Sequence, residues 1–392
     1  MPVAMAVANE TCVYPLTPPG RAALASLAVC GPGAVALVDS LFRPAGQRRL
    51  SDVTANRILF GHWMHGDGEE VVVTVRDPRQ VEIHGHGGTA ASRAILGSLT
   101  AAGAKAGSWQ DWVAQQEPRP IPRDAQLALV HARTERTAGI LLDQWQGALE
   151  GEIQQIIRSL QCDQLDAARQ QIDRLLNRSR TGRHLTRPFR VVLAGQPNVG
   201  KSSLINAILG YPRAIVNAQP GTTRDVVTGT TAIDGWPVVL SDTAGLREHA
   251  DELETAGMTL AVGELAAADL VVLVFDHGLP WTAANDNLCG GWPGALVVHN
   301  KCDLPGGAGE RPAGLRTSAT CRRGLAELLN EISLRLVPAV PPRGAGVPFT
   351  EAQTAGLRTA QQALLAGDQR GAGDALGRLV YGGQRDVPPG KA

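Results

Sequence analysis

Gly195-Gln196-Pro197-Asn198-Val199-Gly200-Lys201-Ser202 follows the pattern G-x-x-x-x-G-K-S. The pattern carries weight only between a strand and a helix. Here Phe189 to Ala194 reads as a buried strand, and Ser203 to Leu209 reads as the start of a helix. The stretch is therefore expected to bind phosphate. Gly195 and Gly200 let backbone N–H groups turn inward around phosphate oxygens. The helix N-terminus adds positive potential. Residues Asn198, Val199, Gly200, Lys201, Ser202 and Ser203 form the expected nucleotide cradle. Lys201 would reach the β and γ phosphates, and Ser202 would place a hydroxyl on Mg²⁺.

The base is read further along. Asn300-Lys301-Cys302-Asp303 follows the apolar run Ala295 to Val298. Guanine presents two adjacent donors, N1–H and the 2-amino group. One carboxylate, Asp303, can accept from both, whereas adenine has no such pair. Asn300 can bond neighbouring base atoms, and the Lys301 stem can cover the ring face. N-K-x-D is weak alone and strong at this distance after a phosphate loop. Thr317-Ser318-Ala319 stands where a backbone N–H would hold guanine O6, with Ser318 and Ala319 as the candidates. Between these motifs lie two switch segments. Val238 to Ser241 reads as a strand leading into Asp242-Thr243-Ala244-Gly245. Asp242 can hold Mg²⁺ through water, and the Gly245 N–H can sense the γ-phosphate. Upstream, Gly221-Thr222-Thr223-Arg224-Asp225 supplies a metal-binding threonine, with Thr223 the better Mg²⁺ candidate. Order–disorder change of such segments on hydrolysis is a known switch. The expected ligands are GTP and GDP. Leu246, not glutamine, follows Asp-Thr-Ala-Gly, so the glutamine route to orienting water is absent.

Together, Gly-x-Pro-Asn-Val-Gly-Lys-Ser, Gly-Thr-Thr-Arg-Asp and Asp-Thr-Ala-Gly-Leu-Arg-Glu resemble the tRNA wobble-uridine modification GTPases of the MnmE (TrmE) type. The resemblance extends outside the G domain. Thr17-Pro18-Pro19-Gly20-Arg21 is similar to the family's opening signature, and Val81 to Gly88 to its V-E-I-x-x-H-G-G segment. Ala132-Arg133-Thr134-Glu135 is similar to the start of its helical domain. The resemblance implies GTP hydrolysis activated by K⁺ and by dimerisation, giving GDP and phosphate. It assigns K⁺ to Asn198, Asn217, Gln219 and Thr222, and it assigns the orientation of water to Glu254. From the residue alone, Glu254 also reads as a solvated helix acid. The implied partners are tRNA, acted on at the wobble uridine (5-carboxymethylaminomethyl type), a flavoprotein, and a second copy in a homodimer.

Two departures stand against that pattern. The family ends in Cys-x-Gly-Lys, whose thiol serves the tRNA chemistry. Aligning Gly390-Lys391 places Pro388 at that position, and proline is neither nucleophile nor acid. The family's formyl-tetrahydrofolate site uses a Pro-Gly-Glu-Phe-Thr stretch and a lysine-containing loop. Neither occurs in residues 107–123, which puts folate binding in doubt. Arg21 and Glu82 read either as remnants of that site or as fold-bearing residues. Three readings follow: a tRNA-modifying GTPase, a GTP-dependent binding switch on a ribosome or protein partner that lost the tRNA chemistry, and a nucleotide-binding scaffold. Asn198 and Glu254 argue against the last.

Composition fits a multi-domain protein of the cytoplasm. The 392 residues suggest two or three domains, and 44% apolar content is enough for real cores. No apolar stretch is long enough for a bilayer, no leader is evident, and no membrane partner is expected. The six cysteines have no C-x-x-C spacing and read as free thiols. His84 and His86 share a strand face by period two, but beside two glycines they are expected in a turn rather than on a metal. With 37 basic and 37 acidic residues there is no net pull toward RNA. Arg174, Arg178, Arg180, Arg183, Arg187 and Arg190 form a local basic run, either a phosphate contact or a solvated linker.

The expected fold is α/β + α. A small α+β domain (1–120) precedes a helical domain (121–187 plus 338–392). A P-loop G domain with a largely parallel sheet (188–337) is inserted in the latter. Pro118, Pro120 and Pro122 read as a break. Leu127, Val130, Ile140, Leu141, Leu149, Ile153, Ile156, Ile157 and Leu160 read as a helical core stripe. Phe349 to Tyr381 reads as further helix packing back on it.

Overall fold

A computed structural model describes residues 10–20, 22–64, 68–211, 228–242 and 265–382. Asn217, Gln219, Thr222, Thr223, Thr243, Ala244, Gly245, Glu254 and Pro388 lie outside the described residues. The chain divides into two compact units, Met1–Arg119 and Pro120–Ala392.

The first unit is built on a sheet of β1 (Cys12–Pro15), β2 (Leu24–Cys30), β3 (Phe42–Pro44), β4 (Arg57–Trp63), β5 (Glu70–Asp77), β6 (Gln80–His86) and β7 (Lys105–Ala106). Its order is β3-β4-β5-β6-β2-β1-β7. The strands pair antiparallel except β1 with β7. Alternation decides which face is buried: Val71, Val73 and Val75 point inward with Val81 and Ile83. Helices α1 (Ala34–Leu41) and α2 (Thr89–Ala101) cover that face, with Val38, Ile95 and Leu99 fully buried. Helix α3 (Trp109–Gln116) starts at a Ser108–Asp111 capping box and packs at the β1 edge. His84 and His86 are both on β6 rather than in a turn. His84 Nδ1 lies 2.8 Å from Ser26 Oγ and His86 Nδ1 2.7 Å from Glu69 Oε1, so sheet pairing overrides the turn tendency of the glycines after them.

The second unit opens with four helices: α4 (Pro120–Leu129), α5 (Glu135–Trp145), α6 (Ala148–Gln161) and α7 (Leu165–Gly182). The prolines mark the break between the two units, which divide between Arg119 and Pro120. Pro120 and Pro122 occupy the first turn of α4, where an N–H has no intrahelical acceptor to lose. The chain then forms β8 (Phe189–Ala194), α8 (Lys201–Leu209), β9 (Thr228–Ile233), β10 (Trp236–Asp242) and β11 (Leu270–Asp276). It continues through α9 (Ala283–Gly291), β12 (Leu296–Asn300), β13 (Leu315–Arg316) and α10 (Leu325–Leu336), and ends in α11 (Glu351–Leu365) and α12 (Gln369–Tyr381). The strand order is β13-β12-β11-β8-β10-β9, parallel except for β9 on β10. Near-continuous apolar runs such as Leu270 to Phe275 suit a sheet buried on both faces. Ligands in such sheets bind outside the carboxyl ends of the strands.

Helices on both sides of this sheet in sequence share one core. Ile153, Ile156, Leu160, Ile172 and Leu175 pack with Leu357, Leu364, Leu376 and Val380. Burying each such side chain contributes about 1.5–3 kcal/mol. Val130 leaves the expected stripe: it follows the last turn of α4 and is exposed. The returning segment is held by buried Gln144 and half-buried Glu152 and Arg178. Gly346 N–H donates to Glu152 Oε1 at 2.7 Å and Val347 N–H to Gln144 Oε1 at 3.0 Å. Arg178 donates to the same Glu152 carboxylate at 2.8 Å and to Gly346 O at 3.0 Å. Arg183 pairs with Asp269 at 3.1 Å and Arg187 lies 3.9 Å from Glu351. Arg178, Arg183 and Arg187 of the basic run thus face carboxylates. Among the described residues no helix is long and apolar enough to cross a membrane.

Candidate nucleotide site

Strand β8 delivers the glycine-rich loop and α8 receives it. Gly195 (φ +153°) passes so close to β11 that a Cβ there would sit 2.2 Å from Val274 O. Gly200 (φ +92°) is the N-cap of α8, and a Cβ there would meet Asn300 Nδ2 at 2.5 Å. Asn198 itself is left-handed at φ +63°, a conformation asparagine tolerates better than most residues. Helix α8 has no side-chain N-cap bond, so its first amide donors face the loop as they must to meet phosphate.

Three side chains converge there. Lys201, 5% exposed, donates Nζ to Gln196 O at 3.1 Å and to Gly195 O at 3.3 Å. Its ammonium is 3.8 Å from Asp242 Oδ1. Ser202 Oγ donates to Asp242 Oδ2 at 2.6 Å. Asp242 is 1% exposed, and it is placed by β10 lying parallel to β8 with Asp242 opposite Leu193. A buried ammonium, hydroxyl and carboxylate at a helix N-terminus form an arrangement for triphosphate and a hard cation. The hydroxyl and carboxylate oxygens suit Mg²⁺, which favours oxygen donors.

The base-reading residues stand at the ends of β12 and β13. Asn300, 1% exposed, donates Nδ2 to Val199 O at 3.0 Å and accepts from Thr317 Oγ1 at 3.2 Å. Its carboxamide therefore ties the base loop to the phosphate loop. Lys301 is left-handed (φ +63°) and donates Nζ to Asn198 O and to Asp276 Oδ2, both at 2.7 Å. Asp276, at the end of β11, had no motif to announce it. Its signal is only that a carboxylate ends a buried apolar strand. Gln196 is a second such residue, donating to Asn285 Oδ1 on α9 at 3.2 Å. Asp303 is exposed, and a hydrogen bond from the Ser318 side chain holds its carboxyl below the usual carboxylate range. Ser318 N–H donates to Arg323 O at 2.9 Å, so of the two candidates for O6 this amide is already engaged within the protein. A cleft of about 690 Å³ in the first unit, lined by Thr11, Leu37, Thr100 and Lys105, contains none of these residues.

A glycine-built loop, a lysine and a serine on the first turn of α8, and an Asn-Lys-x-Asp loop across a parallel sheet define a P-loop GTPase of guanine specificity. Residues 190–299 match the family model described as "50S ribosome-binding GTPase". The tRNA modification GTPase MnmE of Synechococcus sp. (strain RCC307) is 33% identical over 91% of this chain and 87% of its own. The enzyme of the same name from Geobacillus thermodenitrificans is 31% identical, over 81% and 80%. That of Chloroflexus aurantiacus is 32% identical, over 76% and 74%. The chain belongs to the MnmE family of tRNA modification GTPases. A solved structure, the G domain of the T. maritima FeoB iron transporter, aligns with 38% of this chain and 98% of its own. Its identity of 26% comes with a TM-score of 0.28, too low to carry an argument.

Proposed function

We propose that this chain is a K⁺-stimulated GTPase whose GTP cycle serves modification of the tRNA wobble uridine. The observation that carries the reading is the convergence of Lys201, Ser202 and Asp242 at the loop mouth, in a chain of this family. Asn198 to Ser203 bind the phosphates by backbone amides, and Lys201 offsets charge on the β and γ oxygens. Ser202 and Asp242 are oxygen donors of the kind that would hold Mg²⁺, with Thr223 as a further donor. A Mg²⁺ bound there neutralises charge developing on the phosphate oxygens. Asn300 and Lys301 brace the two loops, Asp303 accepts from N1–H and the 2-amino group, and Ala319 donates to O6. Water attacks the γ-phosphorus and the bond to the β-phosphate oxygen breaks, giving GDP and phosphate.

Asn198, whose side chain issues from a left-handed loop position, is the described member of the K⁺ set completed by Asn217, Gln219 and Thr222. Glu254 is assigned to orienting water by the resemblance to the family, Leu246 being apolar. Residues 121–187 and 338–392 are read as one helical domain interrupted by the G domain at 188–337. Support comes from the shared helical core and from the bonds of residues 346–347 to Glu152 and Gln144. By family, the partners are tRNA, a flavoprotein and a second copy of the chain.

The decisive experiment measures GTP turnover in KCl and in NaCl for wild type and Glu254→Ala. Stimulation by K⁺ and a barrier increase of about 2–4 kcal/mol in the variant are expected, as for loss of one oriented transition-state group. Equal rates in both salts would remove the K⁺ assignment. For the tRNA step, the wobble uridine is analysed in a strain lacking this chain. Loss of the modified base is expected, and a fully modified base would limit the chain to its GTP cycle.

A further inference from the structure

Cys12 and Cys30 face each other in register across the antiparallel pair of β1 and β2. Directly opposed residues of such a pair project to the same face with Cα atoms about 4.5–5.5 Å apart. A disulfide needs Cα atoms about 4.4–6.8 Å apart. Leu16 N–H donates to Ser26 O, and by the ladder's period of two Cys12 and Cys30 form a hydrogen-bonded pair with Cα atoms about 5.5 Å apart, inside the disulfide range. Cys12 is the first residue of β1 and Cys30 the last of β2; beyond them Thr11 O accepts from Lys105 N–H and Gly31 N–H donates to Arg79 O.

The two sulfurs differ in environment. Cys30 is buried, and it clusters with Tyr14 and Ala28, against which Cys12, Leu16 and Trp112 pack. Burial pushes the Cys30 thiol up to about 11, so it stays protonated in neutral solution. Cys12 is half-buried. Exposure lets Cys12 meet the co-reactant, while Cys30 is shielded from it and its raised pKa slows its own attack as the resolving sulfur. The other four cysteines lie on no described strand: Cys162 caps α6, Cys289 is in α9, and Cys302 and Cys321 are in loops. None of the nucleotide-binding residues takes part.

We propose that Cys12 and Cys30 form a reversible dithiol–disulfide site that takes a low-molecular-weight disulfide as co-reactant. The Cys12 thiolate attacks one sulfur of RS–SR, forming a mixed disulfide and releasing RS⁻. Cys30 then gives its proton to the released RS⁻ and, as the thiolate, attacks the Cys12 sulfur, and the second RS⁻ leaves. The protons of the two protein thiols end on the two RSH molecules. Two electrons pass from the protein to the co-reactant, one S–S bond breaks and one forms.

The test equilibrates the full-length chain in buffers of graded glutathione disulfide to glutathione ratio. Remaining thiols are then alkylated and the protein is digested with trypsin. Arg21 lies between the two cysteines, so cleavage there leaves their peptides joined only by a disulfide. The expected result is a Cys12–Cys30 linked pair, two hydrogen masses below the sum of its peptides. It should grow with oxidant, vanish on reduction and be absent in Cys12→Ser. Alkylated Cys12 and Cys30 at every ratio would overturn the proposal. So would glutathione on either residue with no internal link. The wild-type digest decides the matter even if the variant fails to fold.

Discussion

Asn300 Nδ2 donates to Val199 O at 3.0 Å, so one buried carboxamide joins the strand that ends in the base-reading loop to the loop that grips phosphate. Gly200 leaves room for it, since any Cβ there would stand 2.5 Å from that nitrogen. The two ends of the nucleotide are thus read by loops whose spacing is set by a protein–protein hydrogen bond. Asn300→Ala would leave Val199 O and Thr317 Oγ1 without these partners, costing about 1–3 kcal/mol. GDP affinity measured by calorimetry is expected to fall roughly 10- to 100-fold, with the circular dichroism spectrum unchanged. Wild-type affinity in the variant would mean that the two loops hold their spacing without the tie.

Asp303 offers two acceptor oxygens, and xanthine differs from guanine in carrying a carbonyl where the 2-amino group stands. Asp303→Asn places an amide donor opposite that carbonyl. GTP binding is expected to fall by roughly a hundredfold or more, while XTP binding rises. Competition between the two nucleotides for a fluorescent analogue reads this directly. Equal loss for both would assign Asp303 to loop structure instead of base choice.

Ser202→Ala removes the hydroxyl that donates to Asp242 at 2.6 Å. GDP binding in EDTA should be nearly unchanged. The gain in affinity on adding Mg²⁺ should shrink about tenfold, or roughly 1.4 kcal/mol. A variant that responds to Mg²⁺ like the wild type would place the cation on other oxygens.

Acid should loosen this unit before its carboxylates titrate. His299, 4% exposed on β12, is held below the usual imidazole pKa by burial, and His277 is shifted the same way. The unfolded imidazoles take protons near 6.5, whereas the folded ones resist until lower pH. The unfolded state therefore binds more protons in that window, and stability is lost as pH falls through 6.5 toward the lower folded values. The limit is about 1.4 kcal/mol per pH unit for each group. Thermal melts from pH 7.5 to 5.5 should show Tm falling, and falling less in His299→Gln. Parallel curves for the two proteins would exclude His299 as a source.

Much of the site was legible because its signals are local. Strand Phe189–Ala194, the glycine positions and the start of α8 depend on neighbours within a few residues, and the folded chain keeps them in place. Pro118, Pro120 and Pro122 mark the division of the two units, while a helix start and a loop use proline alike. What decides between them is whether residues 124–129 continue as helix. His84 and His86 misled because their ladder partners settle the strand: both pair with β2, far away in sequence, and His84 also pairs with the adjacent strand β5.

By itself the amino-acid order determined that a guanine nucleotide would be bound, because spacing between glycines, lysine and a distant aspartate expresses ligand geometry directly. Only tertiary structure decided that Asp276 holds Lys301, that Asn300 spans two loops and that Cys12 meets Cys30. Those contacts depend on strand order and register, which arise when whole faces are buried together, and no short segment carries that information alone.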